Sequence, residues 1–134
     1  MPNTLDLAKL VLRLNLGILM LLHGIAKLIA GPAGILAMVA KTGLPPALGY
    51  LVYVGEVLAP LLVIVGLWTR PAALVMALNM VVAVLLAHMG QWGELTRGGG
   101  WALELQAFYF VTALSVMLLG AGKLSLGGNA SRLN

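Results

Sequence analysis

The stretch LNLGILMLLHGIAKLIA, residues 14–30, decides the fold class of this chain. Together with the apolar residues before it, the stretch is long enough for a helix that crosses a hydrocarbon core of roughly 30 Å, which takes about 20 residues. It nevertheless carries His23 and, one helical turn later, Lys27. Because an ionisable side chain is costly at membrane depth, these two residues indicate a helix face that meets polar partners and not lipid.

The composition of the whole chain supports a membrane location. Of its 134 residues, 61% are hydrophobic and only 9% are charged, which lies outside the usual range of soluble domains. The absence of cysteine excludes thiol chemistry, Fe–S ligation and cysteine zinc sites by this chain. The net charge of +4 comes from few residues, and no basic run or patterned aromatic set indicates nucleic-acid binding.

Apolar runs long enough to cross a membrane recur along the chain and predict a single domain over residues 1–134. The predicted spans are roughly 10–30, 48–67, 71–88 and 101–119. Indole rings prefer the membrane interface, and Trp68, Trp92 and Trp101 fall at the ends of these runs. We therefore expect an all-α integral membrane protein, an antiparallel up-down four-helix bundle.

The connections between the spans differ in character. The first, GPAGILAMVAKTGLPP at 31–46, places the apolar residues 35–40 between glycine and proline, which predicts a short interfacial helix. The second, residues 68–70 before Pro71, predicts a tight turn with proline in the first turn of the next helix. The third, MGQWGELTRGGG at 89–100, is polar and is predicted to be flexible.

The distribution of Lys and Arg predicts the orientation, because cytoplasmic loops carry more of them. With both termini in the cytoplasm, the cytoplasmic side holds Lys9, Arg13, Arg70, Lys123 and Arg132. The opposite side holds Lys27, Lys41 and Arg97. The first apolar run also resembles a signal peptide, but it ends on charged residues and has no small-x-small cleavage site.

Helix direction then places five ionisable residues in the outer half of the bilayer, although they are far apart in sequence. These candidate site residues are His23, Lys27, Glu56, His88 and Glu104. Tyr53 falls on the same helix side as Glu56 and joins His23, Glu56 and His88 as a candidate ligand-binding residue. Asn79 lies nine residues before His88, on the opposite helix face, and is predicted to make an interhelical hydrogen bond outside this cluster.

Ordered motifs along the chain resemble the DoxX family of small bacterial inner-membrane proteins. They are RLNLGILMLLHGIAKL at 13–28, YVGEVLAPLLVIVGLWTRPAAL at 53–74, AHMGQW at 87–92 and LLGAGKLSL at 118–126. The resemblance implies a four-helix inner-membrane protein. The family name derives from association with a thiosulfate-to-quinone oxidoreductase; some members are linked to membrane redox complexes, and most have no assigned activity. The resemblance also implies that the polar motif positions are His23, Gly24, Lys27, Glu56, Arg70 and His88. The family's usual acidic residue after the terminal serine is missing, because Leu126 follows Ser125.

Three functional hypotheses follow. In the first, the polar cluster binds a quinone or similar amphipathic ligand, and the protein is a subunit of, or accessory to, a quinone-linked oxidoreductase. The His and Glu side chains would transfer protons, and Lys27 would stabilise an anionic form of the ligand. In the second, the protein is a non-enzymatic assembly or scaffold subunit for a membrane or periplasmic redox partner, and the polar groups only hold the helices together. In the third, His23 and His88 ligate haem or a metal, although no attachment motif is present. A transport role would require a homo-oligomer.

Overall fold

The computed structural model describes residues 1–128 and 131–134, and every named element in this part of the chain is a helix. The all-helical prediction is therefore confirmed. The helices are α1 (Thr4–Ala30), α2 (Ala33–Lys41), α3 (Pro46–Val65), α4 (Thr69–Gln91) and α5 (Glu104–Leu119). Two of them, α3 and α4, are long and apolar enough to cross a membrane, and α5 is a shorter apolar helix.

The observed helix ends differ from the predicted spans where local hydrogen bonds decide them. Helix α1 begins at Thr4, because the Asn3 and Asp6 side chains each bond the other's backbone N–H in a capping box. Helix α5 begins at Glu104 and not at Trp101, which instead forms an isolated antiparallel bridge with Leu95. The loop before α5, predicted to be flexible, thus has its own hydrogen-bonded turn.

Helix α3 changes its winding along its length. It starts as a 3-10 turn at Pro46–Tyr50, widens into a π turn at Val54–Leu58 and continues as α-helix from Ala59 to Val65. Proline lacks an N–H and its ring collides with the carbonyl four residues earlier, so Pro60 prevents regular α geometry at Glu56. The wider turn next to Pro60 is the kind of π bulge that commonly carries functional residues.

The core is built from small and flexible side chains. Helix α1 packs against α3 and α5, and α4 packs against α3 and α5. Alanines and methionines dominate the buried cluster, which lets the helix backbones approach closely. The cluster comprises Leu16, Met20, Ala59, Val63, Ala72, Ala73, Met76, Ala77, Met80, Ala113 and Val116.

The segment after α5 folds back over the turn between α3 and α4. The Leu126 and Gly127 N–H groups donate to the carbonyls of Val65 and Gly66, at 3.0 and 2.9 Å. Gly66 ends α3 in the left-handed conformation with φ of 72°, where a side chain would also meet Arg13 and Ser125. This segment, residues 120–127, includes the motif Gly-x-Gly-Lys-x-Ser at 120–125 and covers one end of the helices as a C-terminal cap.

Arg13 joins this cap to the helices and is almost fully buried, with 1% of its surface exposed. Its guanidinium donates to the carbonyls of Val63 at 2.8 Å and Ile64 at 3.1 Å, and to Leu124 at 2.6 Å. Five N–H donors in a rigid fork allow one arginine to satisfy several carbonyls at helix ends. Arg13, which the sequence analysis assigned to the cytoplasmic side, is thus a buried side chain that links α1 to α3 and to the C-terminal segment.

Acid is expected to loosen the N-terminal contact with this cap, which depends on Asp6. The Lys123 and Asn3 N–H groups donate to the Asp6 carboxylate, both at 3.1 Å, and lower its pKa below the ordinary value of 3.8. A group with a lowered folded-state pKa stabilises the fold above its unfolded pKa and loses that effect as pH falls through the folded value. The difference in Tm between wild type and Asp6→Asn should therefore shrink between about pH 5 and about pH 3.

Thermal unfolding in mild detergent, followed by circular dichroism, measures this difference. Glu94→Gln is the matched control, because Glu94 is exposed and its side chain makes no hydrogen bond to the described residues. Its Tm difference from wild type should not change over the same range. An Asp6→Asn difference that is constant with pH would contradict the role assigned to this carboxylate.

Candidate functional site

The most deeply buried acidic side chain, Glu56, lies at the π turn of α3. Only 2% of its side chain is exposed, and it forms an ion pair with Lys27 of α1. The Asn79 side-chain amide of α4 donates to the same carboxylate oxygen, Oε1, at 3.0 Å. Three helices thus meet at one carboxylate. Burying a charge is costly, so a carboxylate at this depth is unusual unless it is paired.

The two oxygens of Glu56 differ in their surroundings. Oε1 accepts from both Lys27 and Asn79, whereas Oε2 is buried and has no hydrogen-bond partner among the described residues. A buried polar atom without a partner is costly, so its presence calls for a proton, a water or a ligand group. This free oxygen is the chemically open position of the site.

Two glycines bring the helices close enough for these contacts. A Cβ at Gly24 would collide with the backbone carbonyl of Glu56 and with Val57, so α1 and α3 touch backbone to backbone there. A Cβ at Gly55 would lie 2.6 Å from Cγ of Asn79. Small residues at both crossings therefore permit the depth of burial of Glu56.

Lys27 is held at the end of α1. It lies in the last helical turn, where a positive charge is favoured by the helix dipole. Its carbonyl accepts from the Tyr53 hydroxyl at 3.3 Å and from the Gly31 N–H at 3.0 Å. Tyr53, predicted as a ligand-binding residue, therefore contacts the backbone that positions Lys27.

His23 lies on an exposed side of α1, one turn before Lys27. Its Nδ1 is 3.0 Å from the carbonyl of Leu19, which can only accept, so Nδ1 carries the proton. In the uncharged form of the ring with this tautomer, Nε2 carries the lone pair and can accept a proton. Its ring packs edge-on against Tyr109 of α5, with ring centroids 5.6 Å apart and an interplanar angle of 83°.

The other two predicted site residues, His88 and Glu104, have side-chain neighbours outside this cluster. His88 ends the π turn of α4 and has Nδ1 at 3.1 Å from the side-chain oxygen of Gln91. Glu104 is exposed at the start of α5, and its carboxylate lies over Gly100. Among the described residues, no hydrogen bond joins His88 or Glu104 to Glu56.

Asn79 was expected outside the cluster, and that expectation was wrong. The predicted interhelical hydrogen bond is confirmed, but its acceptor is Glu56 itself. In a regular helix Asn79 and His88 lie on opposite faces, and the face of α4 that meets Glu56 is the one that carries Asn79. The sequence pair Gly55-Glu56 could have indicated this contact, because a glycine beside an intramembrane acid allows another helix to approach the acid closely.

A small cavity of about 220 Å³ lies between α1 and α5, beside His23. Leu19, whose carbonyl holds His23, and Tyr109, whose ring packs on His23, both line it. Asn15, Tyr109 and Thr112 are the lining residues that carry polar groups, and the others are apolar. The cleft between α1 and α5 thus lies next to a proton-accepting imidazole on α1, and α1 also contacts the buried carboxylate of Glu56 on α3, which has one free oxygen.

The fold and the site define a helical membrane protein with an ion pair buried between its helices. The DoxX family model matches residues 8–89, which include Lys27, Glu56 and Asn79. The chain belongs to the DoxX family. The match ends before α5 and the C-terminal cap, so the resemblance of the terminal motif lies outside it.

Two relatives are similar to this chain over 118 and 89 residues. An uncharacterized protein of Haemophilus influenzae is 30% identical over 118 residues, which are 86% of this chain and 84% of the relative. A Bacillus subtilis protein named "Putative oxidoreductase CatD" is 29% identical over 89 residues, 66% of each chain. No solved structure matches the chain.

Proposed function

We propose that this protein is a multi-pass inner-membrane subunit of a redox system, accessory to a quinone-linked oxidoreductase, and that it binds a quinone-type ligand at the Glu56 site. The name of the Bacillus subtilis relative supports the redox association. The single observation that carries the ligand proposal is the free, buried Oε2 of Glu56. An unpartnered carboxylate oxygen inside the helices is a position for a proton or for a ligand hydroxyl.

The chemistry of the site suits a ligand that exchanges protons. A quinone supplies two-electron redox chemistry when bound, and its oxygens need proton donors and acceptors. Glu56 Oε2 would accept the hydrogen bond and, during turnover, the proton of a ligand hydroxyl, while in the resting site Lys27 balances the charge of the carboxylate through the ion pair on Oε1. His23, with Nε2 free beside Tyr109, would exchange the proton at the cleft between α1 and α5.

The proposal includes a topology. Helices α1, α3, α4 and α5 would form the antiparallel bundle, α2 would lie at the interface, and both termini would be cytoplasmic. The excess of Lys and Arg assigned to the cytoplasmic side supports this orientation. In it, the Glu56–Lys27 pair occupies the outer half of the bilayer.

Loss of bound quinone from Glu56→Gln is the expected result that tests this function. The substitution keeps the side-chain shape but removes the negative charge and the ability to hold a proton. Wild-type protein purified in mild detergent should yield quinone on organic extraction and mass spectrometry. We expect the variant to yield about tenfold less per chain, which corresponds to about 1.4 kcal/mol of binding free energy.

Glu94→Gln is the control, because it makes the same chemical change in the exposed loop before α5. It should retain the wild-type amount of quinone. Circular dichroism at equal concentrations shows whether each variant is folded. Equal quinone content in folded Glu56→Gln and wild type would refute the ligand proposal.

A non-enzymatic assembly subunit is the second candidate. It is favoured by the hydrogen bonds that Glu56 Oε1 already accepts from other helices of the protein. Lys27 and Asn79 already partner this oxygen, as expected if the ion pair holds α1, α3 and α4 together. Co-purification of one stoichiometric partner protein that survives Glu56→Gln and His23→Ala would support this candidate. For the haem alternative with His23 and His88, an absorption spectrum with a Soret band would be the required result.

A further inference from the structure

Charge is distributed unequally between the two ends of the helices. Five of the eight Lys and Arg side chains lie at the end covered by the C-terminal cap, where α1 begins and α5 ends, with one of the four acids, Asp6. The five are Lys9, Arg13, Arg70, Lys123 and Arg132. The other three cations and the other three acids lie in the opposite half of the molecule and balance each other. The net charge of +4 therefore belongs to the capped end.

Two of these five cations, both arginines, are engaged by the protein itself. Arg70 Nη1 donates to two carbonyls in the last turn of α5, at 3.1 and 3.0 Å, and Arg13 donates to carbonyls at the end of α3. The ammonium groups of Lys9 and Lys123 make no hydrogen bond or ion pair with any described residue. Lys123 is exposed and Lys9 is half-buried, so both can donate to a bound anion.

Lys9 and Lys123 come together around Asp6. The Lys9 stem crosses the cap, because a Cβ at Gly122 would lie 3.1 Å from Cδ of Lys9. The next residue, Lys123, donates its backbone N–H to Asp6 at 3.1 Å. After the N–H bonds from Lys123 and Asn3, the charges of Lys123 and Lys9 also lower the pKa of Asp6. Two ammonium groups, one from α1 and one from the cap, thus surround one carboxylate and leave an excess of positive charge.

Exposed apolar side chains lie beside both lysines. Leu5, one helical turn before Lys9, is 54% exposed, and Leu126, three residues after Lys123, is 80% exposed. Trp68, at the same end of the molecule, is also exposed, and indole rings prefer the level of the lipid headgroups. The surface therefore combines cations with apolar groups.

We propose that Lys9 and Lys123 bind the headgroup of an anionic phospholipid. The lipid phosphate lies between the two ammonium groups and links α1 to the C-terminal cap, while the acyl chains pass the exposed leucines beside them. Basic groups next to membrane-spanning helices recognise anionic headgroups in this way.

The position of the site favours a lipid over a soluble anion. Helices α3 and α4 are long and apolar enough to cross a membrane, and the turn between them lies at the capped end. This end is therefore at the level of the lipid phosphates. A soluble anion could use the ammonium groups but would leave Leu5 and Leu126 exposed.

The proposal rests on the membrane location of the protein and not on the quinone function. Lys9 and Lys123 lie at the capped end, whereas the Glu56–Lys27 pair lies toward the other end of α1. Binding at the two sites can therefore be measured independently.

Native mass spectrometry of the protein in mild detergent measures lipid binding. The probes are dioleoyl phosphatidylglycerol, which has a net negative charge, and dioleoyl phosphatidylcholine, which has the same chains and a phosphate but no net charge. The third probe, glycerol 3-phosphate, is a soluble anion without acyl chains and is added as a competitor. Circular dichroism shows whether each variant is folded.

Phosphatidylglycerol should bind about thirtyfold more tightly than phosphatidylcholine, because each lysine near an anionic headgroup raises the affinity about fivefold. Lys123→Gln should lose about fivefold, and Lys9→Gln combined with Lys123→Gln should bind both lipids equally. Lys9→Arg combined with Lys123→Arg keeps both charges and should bind as wild type does. The matched control, Lys41→Gln combined with Arg97→Gln, removes two exposed charges from the opposite half and should keep the wild-type affinity.

Equal binding of the two lipids to wild type would overturn the proposal. Equal losses in the two double glutamine variants would overturn the location, because net charge alone would then explain the binding. Competition by glycerol 3-phosphate at concentrations similar to those of phosphatidylglycerol would overturn the lipid assignment in favour of a soluble phosphate. The quinone content of the Lys9→Gln, Lys123→Gln variant should equal that of wild type, so this proposal and the quinone proposal can fail separately.

Discussion

Lys27→Met is expected to destabilise the folded protein by about 3 kcal/mol, the largest effect of any single charge removal in the site. The substitution leaves Glu56, with 2% of its side chain exposed, without its ion-pair partner. Breaking a buried pair from one side costs roughly 3–5 kcal/mol, and we take the lower end because 37% of the Lys27 side chain is exposed. Asn79 remains as a partner but carries no charge.

A thermodynamic cycle separates the unpaired charge from the loss of the lysine itself. The double variant Lys27→Met with Glu56→Gln removes both charges and should recover most of the lost stability. Denaturation by sodium dodecyl sulfate in mixed micelles, followed by circular dichroism, measures each free energy of unfolding. Lys41→Met in the exposed end of α2 is the control and should change stability by less than about 0.5 kcal/mol.

The cycle also gives a result that would contradict the assignment. If Lys27→Met is no less stable than Lys41→Met, the ion pair contributes nothing to the fold. If the double variant is as unstable as Lys27→Met alone, the stability depends on packing of the lysine stem and not on the charge of Glu56.

Gly24→Ala is expected to destabilise the protein by about 1–3 kcal/mol, although alanine is the better helix former. The added methyl group would collide with the Glu56 carbonyl and with Val57, and both contacts involve packed helix surfaces. The backbone of α3 must therefore move away from α1, which lengthens the approach of Lys27 to Glu56. The same denaturation measurement detects the loss.

Gly34→Ala is the matched control for this prediction. Gly34 lies within α2, and a Cβ there would have no neighbour within 4 Å. The substitution should be neutral or should stabilise α2 by roughly 0.5–1 kcal/mol, because glycine loses more backbone conformational entropy than alanine when a helix forms. Equal stabilities of the two variants would mean that the backbone contact at Gly24 is not tight.

Several parts of the site were predictable because each depends on local chemistry. A histidine and a lysine one turn apart in an apolar helix indicated a polar face, and Glu56 in the next apolar run was the natural partner for Lys27. The pairing was therefore expected from charge and depth. Tyr53 lies near this region in the structure, where its hydroxyl donates to the Lys27 carbonyl, and its role in ligand binding stays a prediction.

Other parts were not predictable, because they depend on how helices rotate against each other. Regular helix phase cannot locate Asn79 opposite Glu56 when Pro60 converts the turn at Val54–Leu58 to π geometry. The same limit applies to His88, which ends a second π turn, Val84–His88. A change from 3.6 residues per turn alters the direction of every later side chain.

The sequence by itself determined that this is an all-helical chain for an apolar environment. It also showed that the few charged residues in the apolar runs need polar partners. It also determined the family, through motifs whose order along the chain could be read directly. Only the tertiary structure decided which polar groups meet: Asn79 at Glu56, Tyr109 at His23, and Arg13 inside the C-terminal cap. The physical reason is that composition and hydropathy act on each segment separately, whereas side-chain partners are set by close backbone contacts, such as Gly24 on Glu56, between distant segments.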